Sequence, residues 1–152
     1  MSPPPTATLP VAAPGRVAAE RPVPPPVQVL TFAEPLPGFP GHRDYVLVPA
    51  DAGGLVFWLQ SVAPAGPRFL AVPPAGFFPD YAPALPGPAC VELGLADPDL
   101  AQLLCLVSIP EGNVAAATAN LRAPVVINPA TSQARQIVLL DGRHPIRRPL
   151  RR

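Results

Sequence analysis

The side chains able to do covalent or metal chemistry are few in this chain, and they stand apart. His42 follows a loop, Gly38-Phe39-Pro40-Gly41, and His144 precedes Pro145. Neither has a companion histidine or cysteine at metal-ligand spacing, so no metal is expected. Ser61, Ser108 and Ser132 lack the Gly-x-Ser-x-Gly elbow that exposes a nucleophilic hydroxyl. The 38–41 loop holds too much proline to wrap its N–H groups around a phosphate, and no Gly-Lys-Ser/Thr follows. Asp97 and Asp99 form a carboxylate pair, but the start of a helix accounts for both. Cys90 and Cys105 make neither a metal spacing nor a redox pair, and free thiols are expected. This inventory predicts no enzyme and no cofactor.

Binding chemistry is better supplied. The stretch FFPDY (77–81) holds three of the chain's eight Phe and Tyr residues. Pro79 cannot donate to a strand ladder, so the stretch must be an edge or a corner. Tyr81 offers an apolar face with a polar tip, a type enriched at interfaces, and Asp80 can cap an amide or face a partner. A second stretch, TANLRAPVVIN (118–128), sets Asn120 and Asn128 around an apolar run interrupted by Pro124. Pro124 suggests a strand start or an edge open to another chain; the asparagines can equally close turns on their own backbone.

The elements that must position these groups read as short strands: 27–32, 44–49, 55–62, 68–72, 103–109, 117–121, 124–128 and 134–140. Gly- and Pro-rich turns punctuate them at 35–41, 51–54, 63–67 and 128–131. No amphipathic helix of crossover length separates the strands, which excludes a βαβ plan. The expected fold is all-β, a small antiparallel barrel or sandwich. One short helix is expected near 97–102, with Asp97 as N-cap and Pro98 at the first helical position.

Composition bounds the rest. The chain has 152 residues, enough for one core. Nine of its 27 prolines fall in residues 1–26, where no aromatic and no apolar periodicity occurs. This segment reads as a disordered, polyproline-like tail, leaving 27–150 as the folded domain. It lacks the basic start and apolar run of a signal peptide, and no segment is apolar enough to cross a bilayer. A cytoplasmic protein is expected. Residues 27–145 carry five Arg against nine Asp/Glu, a net of −4, while IRRPLRR (146–152) adds +4. An acidic body argues against direct nucleic-acid binding and favours a basic protein partner. The basic end reads as a solvated tail. Lysine is absent, which is a matter of genome composition rather than function.

Seven segments in order resemble the flagellar assembly factor FliW family. They are PLPGFPGHRDYVLVP (35–49), FWLQSV (57–62), FFPDY (77–81), ELGLADPDL (92–100), TANLRAPVVIN (118–128), RQIVL (135–139) and IRRPL (146–150). The resemblance implies a non-enzymatic cytoplasmic regulator with a β-barrel-like fold, a monomer when unbound. Its implied partners are flagellin and CsrA, an RNA-binding translational repressor, exchanged one for the other so that CsrA capture relieves repression of flagellin synthesis. The alternative is a flagellin-binding chaperone or scaffold without the CsrA branch. On this resemblance Phe78, Asp80, Tyr81, Asn120, Arg122, Pro124, Val126 and Asn128 are the expected partner-binding residues, with Trp58, Leu59, Phe77 and Val125 in the core. The sequence departs from the family pattern at Arg122, where an uncharged residue is usual, and in its basic C-terminal end.

Overall fold

The structure, a computed structural model, describes residues 27–150. The expected tail at 1–26 lies outside them, as do Arg151 and Arg152. The strands are β1 (Gln28–Phe32), β2 (Asp44–Pro49), β3 (Phe57–Ser61), β4 (Arg68–Val72), β5 (Gln102–Ser108), β6 (Thr118–Ala119), β7 (Val125–Asn128), β8 (Gln133–Gln136) and β9 (Arg148–Pro149). They follow the order β4-β3-β2-β1-β8-β7-β5-β6-β9, and β4 also pairs with β5. That last pairing closes seven strands into a barrel and leaves β6 and β9 as an extension beside it.

All pairings are antiparallel except that of β1 with β8, where Thr31 faces Gln133 and Phe32 faces Ala134. Geometry demands the exception. Strand directions alternating around a closed ring cannot return to their start after an odd number of steps, so seven strands need a parallel seam.

Period-two alternation sorts the side chains. Leu30, Phe32, Tyr45, Leu47, Leu59, Ala71, Leu104, Val125, Ile127 and Ala134 fill the barrel. Trp58 precedes Leu59 and so faces outward; it is half-buried, with the Arg68 guanidinium 4.1 Å above its ring, where a core position was expected. Outward residues gather in two further clusters. Ala89, Cys90, Leu93 and Leu95 pack on Val126 and Ile137, and Phe78 packs with Val72, Cys105, Ala119 and Leu121.

The first of these clusters is made by α1 (Gly87–Glu92), a helix that periodicity could not announce in six residues. The helix expected near 97–102 is a 3-10 turn, Pro98–Leu100, with Asp97 capping the Asp99 N–H at 2.9 Å as its residue types suggested. The cap is present, but the segment ends after one turn.

The strand expected over 134–140 stops, as a regular ladder, at Gln136. Its register nevertheless continues. Val125 faces Gln136, the Ile137 N–H donates to the Pro124 carbonyl (3.0 Å), and Leu139 N–H donates to that of Arg122 (2.8 Å). Pro124 has no N–H to return, and the Arg122 N–H is taken by Asn120 Oδ1. The ladder is one-sided there, which is why it loses its regular form.

Candidate functional site

The FFPDY stretch turns a corner at the end of the barrel. A 3-10 turn, Pro74–Gly76, leads into it, and the Tyr81 N–H closes on the Phe78 carbonyl at 2.9 Å. Phe78, expected to face a partner, is only 6% exposed, and Phe77, expected in the core, packs half-buried against the same cluster. Asp80 faces solvent. Tyr81 spans the corner: its hydroxyl donates to the Leu121 carbonyl at 2.6 Å, and its ring meets His144 edge-on at 5.2 Å. This joins FFPDY directly to the second singled-out stretch.

Asn120 and Arg122 shape that second side. Asn120 Oδ1 accepts from the N–H groups of Arg122 (3.0 Å) and Ala123 (3.1 Å), the local turn its residue type favours. Arg122 donates from its guanidinium to the carbonyls of His144 (2.9 Å) and Gly142 (3.0 Å). Leu121 N–H reaches Pro145, and Leu150 N–H reaches Ala117. The chain from 142 to 150 is thereby sewn across the corner. Arg148, expected in a solvated tail, instead sits in β9 with its guanidinium 5.2 Å from the Phe78 ring. Arg143, His144 and Arg148 line a depression of about 200 Å³ together with Asp80, Tyr81 and Leu121. The signal for Arg148 was the basic run itself; nothing marked Arg143 or His144 as part of this surface.

Burial governs protonation beneath this surface. It pushes the Tyr81 phenol well above its ordinary value, with Cys105 adding to the rise. It pushes the Cys105 thiol up to about 12, the Tyr81 hydrogen bond pulling weakly the other way. At the rim, hydrogen bonds from Arg143 hold the Asp141 carboxyl down to about 2.

Pro124, Val126 and Asn128 lie apart from the corner and are enclosed. Val126 is covered by α1. Asn128 donates to the Leu93 carbonyl (2.8 Å) and accepts from Ala130 N–H (3.0 Å), tying the end of α1 to β7. The structure therefore brings together Phe78, Asp80, Tyr81, Asn120 and Arg122, and leaves the other three buried apart from them, with Val126 and Asn128 supporting α1.

One contact has the look of chemistry. His42 Nδ1 lies 3.0 Å from Ser61 Oγ, a pairing that their sequence spacing did not reveal. Ser61 is buried, its Oγ also accepts from the Ala63 N–H, and Gly66 presses so close that a Cβ there would lie 2.3 Å from the Oγ. No substrate carbonyl can reach that hydroxyl; the pair anchors a loop. Among the described residues no group of three His, Cys, Asp or Glu could hold a metal ion. Both cysteines are buried and unpaired. None of the described helices is long and apolar enough to cross a membrane.

A family model described as FliW protein matches residues 23–150. The chain belongs to the FliW family. It is 40% identical over 123 residues to the flagellar assembly factor FliW of Symbiobacterium thermophilum, covering 80% of this chain and 88% of that one. With the protein of the same description from Moorella thermoacetica it shares 34% over 125 residues, 82% and 79% of the two chains. A crystal structure of a flagellar assembly factor FliW superposes with a TM-score of 0.72 at 24% identity, over 81% of this chain and 85% of the other, and establishes the shared fold. As a member of the FliW family, the protein is not an enzyme.

Proposed function

We infer that this protein is a cytoplasmic flagellum assembly factor that binds flagellin and, in exchange, captures a CsrA-type repressor and so relieves repression of flagellin synthesis. The observation that carries the reading is family membership across the whole folded part, with relatives described as flagellar assembly factors. The corner built from 77–81, 120–122 and 142–148 supports it with a surface suited to binding. Asp80, the rim of Tyr81, Asn120 and Arg122 make the contacts. Phe78 holds that surface in shape from beneath, while Pro124, Val126 and Asn128 serve the fold away from it.

A second reading, a flagellin-binding chaperone without the CsrA branch, is favoured by one feature. Arg143 and Arg148 are matched by Asp80 and by the Asp141 that pairs with Arg143, so the depression offers no surplus of negative charge to draw in a basic partner. Titration of the purified chain with cognate flagellin and then CsrA separates the two. Release of bound CsrA by flagellin is the expected outcome. Binding of flagellin alone leaves the chaperone, and simultaneous undisturbed binding of both removes the exchange.

A further inference from the structure

The open edge beside β8 carries an inference separate from the aromatic corner. Successive N–H groups of an extended strand point to opposite sides. Those of Ile137 and Leu139 reach Pro124 and Arg122 on the β7 side. Those of Val138 and Leu140 must then point away, and neither they nor the matching carbonyls meet a partner among the described residues. On that side the neighbour should be the continuation of β1. The last bond there runs from Ala33 N–H to the Ala134 carbonyl, after which Pro35 and Pro37, without N–H groups, lead the chain away. Val138 and Leu140 are 65% and 91% exposed, while Ile137 and Leu139, which alternate with them, are buried.

Natural proteins usually blunt such an edge with a charge, a proline or a cover. Gln136 to Leu140 contains neither charge nor proline. A groove of about 410 Å³ runs along its first part, Gln136 to Val138, walled by Pro35 and Pro37 and by Pro86, Pro88 and Ala89. Such a slot takes one strand more readily than a second barrel. Its charge is uneven: at the Arg135 end, Arg135 pairs with both Glu34 (3.4 Å) and Glu92, two carboxylates against one guanidinium. Glu34 remains mostly exposed on the groove wall.

We propose that residues 136–140 form a strand-addition site for an extended partner segment with alternating apolar residues and a cationic residue at its C-terminal end. The segment runs antiparallel to 136–140, so its C-terminus lies at Glu34. Backbone bonds to Val138 and Leu140 supply the attachment, and the exposed apolar pair and Glu34 supply the selectivity.

The test is amide chemical-shift mapping on the full-length protein, titrated to millimolar with the capped peptide Thr-Val-Thr-Val-Thr-Arg. Saturable shifts at the Val138 and Leu140 amides are expected, weakened at least about fivefold when Glu replaces the peptide's arginine. Val138→Pro removes a donor that has no internal partner and should abolish the shifts. Glu34→Lys, an exposed change that leaves the edge intact, should reverse the preference between the two peptides. Shifts confined to other amides, or an unchanged preference in Glu34→Lys, would overturn the proposal. So would protection of Val138 and Leu140 that grows with protein concentration in the absence of peptide, since a second copy would then own the edge.

Discussion

β7 and the segment 137–140, which carries β8 on past the start of β7, are built from nearly the same residues, Val-Val-Ile against Ile-Val-Leu-Leu, yet they end in different surroundings. Every residue of β7 is buried: Val125 and Ile127 point into the barrel, and Val126, on the outside, lies under α1. In the neighbouring segment Ile137 shares that cover, while Val138 faces water. Hydrophobicity alone does not decide which apolar strand is core. A six-residue helix decides it, by covering one strand and stopping short of the edge of the next.

The sharpest way to break this comparison is one substitution made on both sides of it. Val126→Asp would place an unpaired charge between the barrel and α1, and should cost about 4 kcal/mol of unfolding free energy. Val138→Asp should stay within about 0.5 kcal/mol. Urea unfolding of the two variants measures both. Equal effects would mean that α1 does not seal β7 in solution.

Enclosure should also appear in the pH dependence. Cys105 has its thiol raised from about 9 to about 12, mainly by burial, so its neutral form is the one the fold favours. That contribution is complete below pH 9 and is lost as pH climbs from 9 toward 12. At pH 10 the loss amounts to roughly 1.4 kcal/mol. Tyr81, shifted upward as well, adds to the decline at higher pH. Thermal melts from pH 8 to 10.5 should show the fall, and Cys105→Ala should flatten its lower part. Unchanged slopes would mean that the thiol is open to water.

A loss smaller than those expected at Val126 and Cys105 lies at the corner. Tyr81→Phe removes the hydroxyl that joins the two stretches and leaves the Leu121 carbonyl unpaired, at about 1 kcal/mol. If flagellin binding falls further than this loss of stability explains, the phenol meets the partner as well as the backbone.

Much of the architecture was legible in residue types. Strand positions followed from apolar runs between Gly- and Pro-rich turns, and Asp97 followed from the capping preference of aspartate. Ring closure was not legible, since β4–β5 and β1–β8 join segments far apart in the chain and no local pattern reports them. Phe78 turned out more deeply buried than Phe77 because an irregular corner has no period to count. In the candidate site, Tyr81 and Asn120 were visible as chemistry, yet their partners are a backbone carbonyl and two backbone N–H groups. Pro124 was read as the mark of an open edge. It lies enclosed, and the open edge runs along the far side of the strand it faces.

The parallel seam has a consequence for how the molecule is made. β1 to β4 form a meander whose pairings are all between neighbours in sequence, so it can assemble as the chain leaves the ribosome. β1 then waits, with one side bare, for β8, which is synthesised near the end of the described chain. Long-range pairings of this kind are slow to form. The nascent protein therefore carries an exposed strand through most of its synthesis, and its vulnerability to wrong partners ends only when the last tenth or so of the domain arrives.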